Sequence, residues 1–276
     1  MQLAQHSLVV EGGAMRGIFA AGVLDEFLNQ QFKPFNNYFG VSAGATNIAA
    51  FLCNQPKRNY KVITDYSCRT EFINLARFIK GGHLFDLDWL WQTTLQEIRL
   101  ETEYFEQNPC NFYITTTAIH TGKAHYLKAT SDEMADQLKA SCAIPIAYRN
   151  YPVINNIAMT DGGVADSIPV IKAYEMGAKE ITVILSQPLG YKKKPTKTPW
   201  FTKCIYKDYP ALVKASLNRF EAYNQSIDFI TQPPSDCKIN IIAPPANFKV
   251  GRTTKQLSKL ESGYQMGKQA GIEHLT

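Results

Sequence analysis

The chain has 276 residues, 45% hydrophobic and 19% charged, with a formal net charge of +5. That length buries a substantial core, and the composition excludes a disordered chain. The mild basicity is too weak to imply nucleic acid as a partner, yet it suits contact with an anionic membrane surface.

In chain order, Ser7–Val10 reads as a short buried strand that runs into a turn, Gly12-Gly-Ala-Met-Arg-Gly17. Residues 18–30 follow as a helix, with Ile18, Ala21, Val23, Leu24, Phe27 and Leu28 in an apolar stripe. A second strand over 34–41 and an apolar helix over 43–52 complete a strand, loop, helix, strand, helix order. That order implies parallel strands joined by a right-handed crossover. Residues 55–108 read as helical and less regular, and they contain the aromatic run from Leu84 to Trp91. Strands are expected over 111–119 and 123–127, then a helix over 131–141 with Ser131 as its N-cap. Val153-Ile154 and 157–160 flank Asn155-Asn156, a hairpin signal. A proline-opened helix over 169–175 ends near Gly177, a strand covers 180–185, and 188–199 is a basic, proline-containing loop. A long helix over 209–230, a strand over 237–242 and a helix over 254–270 close the chain. No interior domain boundary is evident, so one domain over 1–276 is expected, with 55–108 as a helical, cap-like insertion.

Six cysteines form no Cys-x-x-Cys pair, and their spacing fits no zinc site. The first residues carry no charged segment ahead of an apolar stretch, and no run reaches the ~18 apolar residues of a membrane-spanning helix. These features read as a cytoplasmic protein with reduced thiols, free to touch a membrane but not to cross it.

Three segments carry chemistry. Gly40-Val-Ser42-Ala-Gly44 falls between a strand and a helix. A serine on such an elbow takes a strained backbone, so small residues two positions either side avoid clashes with the adjoining strand and helix. Its hydroxyl then lies at a helix N-terminus, where partial positive charge favours a developing oxyanion. The Gly12–Gly17 turn lets main-chain N–H groups face a site unobstructed, as anion-binding nests do. Gly12, Ala14 and Gly17 also approximate a dinucleotide loop, but the second strand ends Phe39-Gly-Val-Ser42 with no acid for a ribose. Both loops sit at strand C-termini, which brings them side by side. The third segment is Thr160-Asp161-Gly-Gly163; alone it is a common turn. Ser42 needs a base, and none of His6, His83, His120, His125 and His274 sits in a recognisable triad setting.

Together these segments resemble the patatin-like phospholipase family. The family has Gly-Gly-Gly-x-Arg/Lys-Gly, Gly-x-Ser-x-Gly and Asp-Gly-Gly/Ala, in this order. Ala140-Ser-Cys-Ala-Ile-Pro145, Asp166-Ser-Ile-Pro169 and Val250-Gly-Arg-Thr are similar to segments found around them. The likeness runs from about residue 7 to 190 and weakens beyond. The resemblance implies an α/β fold, a three-layer α/β/α sandwich with a mostly parallel central sheet. It implies Ser42 as nucleophile and Asp161 as base, a dyad without histidine, and an acyl-enzyme intermediate. Gly12, Gly13, Ala14, Arg16 and Gly17 would form the oxyanion hole, and Gly40 and Gly44 the nucleophile elbow. No metal or cofactor is implied, and the substrate would be a lipid or other carboxylic ester. Ala14 departs from the family's third glycine; its amide stays accessible as long as its φ is negative. Arg16 would order the loop or attract anionic lipid, the alternative being a plain surface arginine. An unperturbed Asp, with a pKa of roughly 3.9, is a poor base toward an alcohol, so burial must raise it.

The aromatic run at 84–91 suits an acyl pocket or cap, or simple core packing. Lys192, Lys193, Lys194, Lys197, Trp200, Phe201, Lys203 and Lys207 suit an anionic lipid interface, or a solvated loop. A non-catalytic lipid-binding or regulatory protein on the same fold remains the alternative to an enzyme.

Overall fold

The computed structural model describes residues 5–276. The reading of the extreme N-terminus therefore falls partly outside the described residues, as does the Phe201 side chain. Among the described residues, one sheet contains eight strands: β1 (Gln5–Val10), β2 (Asn37–Val41), β3 (Asn111–Ala118), β4 (Ala124–Lys128), β5 (Val153–Ile154), β6 (Ile157–Asp161), β7 (Ala178–Ile184) and β8 (Lys238–Ile242). The helices are α1 (Gly17–Asn29), α2 (Ala43–Leu52), α3 (Arg58–Lys61), α4 (Leu75–Ile79), α5 (Leu87–Glu97), α6 (Glu103–Gln107), α7 (Met134–Cys142), α8 (Val170–Glu175), α9 (Pro199–Ile205), α10 (Pro210–Thr231) and α11 (Leu257–Leu275).

Strands β3, β2, β1, β7 and β8 lie side by side and parallel. β1 is central, and its Leu8-Val9-Val10 run is wholly buried, as a strand covered on both faces requires. Leu8 and Val10 point into a core with Phe19, Val23, Phe27 and Ile48 of α1 and α2. Val9 points to the other face, where Val170 and Ala173 of α8 and Tyr223, Ile227 and Ile230 of α10 pack. The result is helix, sheet, helix: an α/β sandwich of three layers with a mostly parallel sheet. The C-terminal segment belongs to the same body. β8 extends the sheet beside β7, and α11 lies on α1 so closely that a β-carbon on Gly267 would sit 2.0 Å from the Phe19 carbonyl oxygen.

The placement of β6 decides where Asp161 stands. β4 occupies one edge of β3 along Tyr113–Thr117. The other edge is shared: β2 pairs with 111–115, and β6 runs antiparallel along Thr116–Ala118, beyond the point where β2 ends. Since Val41 pairs with Thr115 and Asp161 with Thr116, the chain leaving β2 at Ser42 meets Asp161 directly.

Some elements differ from the sequence reading. The helix expected from Ser131 begins at Met134, with Glu133 rather than Ser131 in the capping position. Thr130 Oγ1 instead accepts from the Glu133 amide at 3.4 Å, holding an extra turn ahead of the helix. The basic stretch carries an unforeseen helix, α9, opened by Pro199 at a position where a missing N–H is harmless. The last helix starts at Leu257, because Thr254 Oγ1 accepts from the Gly251 amide at 2.8 Å and closes a separate turn. The Asn155-Asn156 hairpin is as expected, both residues having positive φ (50° and 61°). Among the described residues, no helix is long and apolar enough to cross a membrane.

Candidate active site

Ser42 caps the N-terminus of α2 with φ 52° and ψ −125°, a conformation that side-chain-bearing residues rarely adopt. The flanking glycines are required by close approach. A β-carbon on Gly40 would lie 2.5 Å from Ala45 Cα, and one on Gly44 would lie 2.4 Å from the Val10 carbonyl oxygen. Ser141, fully buried on α7, secures the elbow. The Ser42 amide donates to Ser141 Oγ at 2.8 Å, and that hydroxyl donates to the Thr115 carbonyl at 2.6 Å. The segment around Ala140–Pro145 thus acts through the backbone of the elbow.

Asp161 ends β6 and is 6% exposed. Its Oδ1 accepts from the Gly163 amide at 2.8 Å. Burial pushes its carboxyl above the ordinary value of 3.8. The Arg219 guanidinium, the neighbouring Ser42 hydroxyl and the Gly163 amide pull it back without cancelling the rise. Hydroxyl and carboxyl therefore share one buried space, as the three-segment reading requires. No histidine lines the adjoining cavity among the described residues: His6 bonds Thr182 at 3.0 Å, His83 bonds the Arg149 amide at 3.0 Å, and His120 packs on Tyr209.

The turn after β1 lies against the elbow, with Gly12 so close that its β-carbon would be 3.2 Å from Ser42 Cβ. Among the described residues, the amides of Gly12, Gly13 and Ala14 meet no protein acceptor, and neither does that of Ala43 at the start of α2. The amides of Arg16 and Gly17 are used inside the turn, the former donating to the Gly13 carbonyl at 3.1 Å. They do not face the site as donors, which narrows the nest to its first three residues. One expectation changes, and one alternative falls. Ala14 has φ +50°, not negative, so the turn holds an alanine in left-handed backbone at a cost of roughly 1–2 kcal/mol, yet its amide still meets no protein acceptor. Arg16 is 7% exposed and no surface arginine.

From Ser42 an apolar cavity of about 140 Å³ extends beneath the helical segment, lined by Ile63, Phe85, Leu87, Leu90, Trp91 and Leu138 among others. Of the aromatic run at 84–91, Phe85, Leu87 and Leu90 line this cavity and also pack with Phe72 and Tyr148. Two neighbours of Ser42 and Asp161 escaped the sequence reading. Cys142 contacts Ser42, and burial, followed by the charge of Asp161, pushes its thiol well up, so it stays neutral. Arg219 reaches Asp161 from α10, where it reads as one more polar residue of a long amphipathic helix.

A family model described as "Patatin-like phospholipase" matches residues 8–174. The chain belongs to the patatin-like phospholipase family. That membership implies a lipid acyl hydrolase. A second model, a domain of unknown function (DUF6363), matches residues 209–276. The chain is 36% identical to the uncharacterized protein YjjU of Escherichia coli K12 over 98% of its own length and 77% of that protein's. It is 26% identical to a probable lipid hydrolase, 463L, of Invertebrate iridescent virus 6, over 59% of this chain and 61% of that one. It is 25% identical to the mouse 1-acylglycerol-3-phosphate O-acyltransferase Pnpla3, over 60% of this chain and 41% of that one. The fold is similar to the crystal structure of VipD from Legionella pneumophila, with TM-score 0.53 and 10% identity, over 99% of this chain and 66% of that one.

Proposed function

We propose that this patatin-like protein hydrolyses a carboxylic ester of a lipid through a Ser42–Asp161 dyad and an acyl-enzyme intermediate. The observation that carries the reading is a strained serine sharing a buried space with a carboxylate of raised pKa, beside main-chain amides that have no protein acceptor. Ser42 Oγ attacks the ester carbonyl while its proton passes to the Asp161 carboxylate. The carbonyl oxygen becomes an oxyanion facing the amides of Gly12, Gly13 and Ala14, where one such donor is worth on the order of 3 kcal/mol. The bond to the alcohol breaks, and the alcohol leaves with the proton held by Asp161. Water then attacks the acyl-serine, Asp161 takes its proton, and the free acid departs as Ser42 regains its hydrogen. The acyl chain lies in the apolar cavity, with segment 55–108 as its cap.

Raising the carboxyl above 3.8 makes Asp161 a better base than a free aspartate, as long as it is ionised at working pH. The test is hydrolysis of p-nitrophenyl esters by the purified chain, with covalent labelling by a fluorophosphonate. Ser42→Ala should lose both turnover and labelling, and Asp161→Asn should lose turnover. Full turnover by purified Ser42→Ala removes Ser42 from the mechanism. An active-site serine inert to both ester and fluorophosphonate points to a binding protein on this fold.

A further inference from the structure

The short helix α4 is turned inside out. Leu75 and Ile79, four residues apart and so on one face, are 64% and 77% exposed, and Ala76 beside Leu75 is exposed too. Its arginine is turned toward the protein. Arg77 donates through Nε to the His83 carbonyl at 2.8 Å, and through its terminal nitrogens to the Glu71 and Phe72 carbonyls at 2.7 and 3.0 Å. It also pairs with Asp86 at 3.4 Å. Arg149 adds a second clamp. It donates to the Gly82 and Phe78 carbonyls at 2.8 and 3.2 Å, with its guanidinium carbon 5.0 Å from the centre of the Phe78 ring. Polar groups thus hold the helix from beneath, while its two large aliphatic side chains face outward.

This face stands at the rim of the apolar cavity. Ile73, two residues ahead of α4, lines the cavity, and so does Leu95 of α5, which is 49% exposed. Lys255 Nζ donates to the Ile73 carbonyl at 3.0 Å and brings up the start of α11, where Leu257 is 58% exposed. Exposed apolar side chains thus flank residues that line the way to Ser42. Arg69, Lys80, Arg149, Arg252 and Lys255 lie on the same stretches, and none of them forms an ion pair among the described residues. The carboxylates there outside an ion pair are Asp65, Glu71 and Glu97, so positive charge prevails. In the basic stretch at 192–207, by contrast, Lys192 pairs with Asp228, and Lys193 Nζ lies 4.1 Å from the centre of the Tyr223 ring. Outward aliphatic groups among unpaired cations match a bilayer that carries anionic lipid: the former enter the acyl layer, and the latter meet the headgroups.

We propose that the outer face of α4, Leu75 and Ile79 with Lys80, docks onto an anionic lipid bilayer and sets the mouth of the cavity against it. Membrane contact then falls on the helical segment 55–108 and not on the basic stretch at 192–207. The inward clamps of Arg77 and Arg149 keep the helix folded while Leu75 and Ile79 are buried in lipid. Docked in this way, an acyl chain passes from the bilayer into the cavity without crossing water. That passage to Ser42 rests on the acyl-hydrolase reading, whereas the docking face itself does not.

The experiment has two arms. In the first, the wild-type chain is floated with vesicles of ether-linked phosphatidylcholine, which an esterase cannot cleave, with and without ether-linked phosphatidylserine. Binding to the anionic vesicles is expected. Leu75→Ser combined with Ile79→Ser should weaken it about tenfold or more, and Lys80→Glu about fivefold or more. All three side chains are exposed, so thermal unfolding should match wild type. Ile79→Trp should add a blue-shifted emission on the same vesicles. The second arm compares turnover of p-nitrophenyl palmitate carried in these vesicles with that of p-nitrophenyl butyrate in solution. The double variant should lose about tenfold on the first and nothing on the second. Absence of wild-type binding to anionic vesicles, or binding unchanged in the double variant, overturns the docking face; in the latter case Lys203→Glu tells whether the basic stretch carries the contact. A wild-type dimer in ultracentrifugation that the double variant dissociates, with vesicles left unbound, makes the face an interface between copies and overturns it too. Vesicle binding lost in the double variant, with neither ester hydrolysed by wild type, keeps the docking face and sinks the acyl-hydrolase reading.

Discussion

Replacing Ser42 by glycine should make the protein more stable than replacing it by alanine. Both remove the hydroxyl and differ only in the β-carbon, which is what makes φ 52° and ψ −125° costly. A residue so far from the populated regions carries strain of about 3 kcal/mol, the upper end of the usual range. Glycine relieves that strain but gives up about 1 kcal/mol through the greater freedom of its unfolded chain. It also loses the burial of one methyl group, worth about 0.8 kcal/mol, at a position only 5% exposed. The remainder is about 1 kcal/mol in favour of glycine, or a melting temperature about 2–4 °C higher for a chain of this size. The assay is thermal unfolding of the two variants side by side, checked by denaturant midpoints. If Ser42→Gly melts at or below Ser42→Ala, the elbow stores no net backbone strain at Ser42.

Four more outcomes are expected. On a neutral p-nitrophenyl ester, kcat/KM should rise with pH through the titration of Asp161, along a limb lying above 3.8 because burial disfavours the carboxylate. The raised pKa means that the folded state holds this proton more tightly than the unfolded one. The stability it lends is full below the unfolded value and lost as pH rises through the folded one, so Asp161→Asn should melt higher than wild type at neutral pH. Arg219→Met removes the charge that restrains the rise and should move the limb to higher pH; a limb left in place would show that Arg219 does not act on Asp161. Ala135→Phe, which puts a ring into the cavity wall, should depress kcat/KM for long-chain esters more than for acetate or butyrate esters. A uniform effect across chain lengths would mean that the acyl group lies elsewhere.

Local patterns made much of this architecture legible. The buried run of β1, the stripe of α1, the limits of α2 and the hairpin at Asn155-Asn156 all follow from periodicity and turn chemistry within a few residues. The elbow was readable for the same reason: the clash that demands small residues at 40 and 44 arises between segments adjacent in sequence or joined by one crossover. The capping error at Ser131 arose because Thr130 and the turn after it compete for the same role.

The chain's own order of residues established the parallel strand pair, the glycine turn and the tight elbow at Ser42, because each depends on hydrogen bonds and sterics that neighbours in sequence supply. Local pattern could not say what lies opposite Ser42; only the family resemblance pointed to Asp161. That depends on β6 taking the edge of β3 that β2 leaves free. Nor could it bring Arg219 to Asp161, since a lone arginine on an amphipathic helix has the same pattern whether it faces water or a buried carboxylate. Charge acts through space and not along the chain, so only the packing of α10 and the C-terminal loop against the sheet decides which cations share a field.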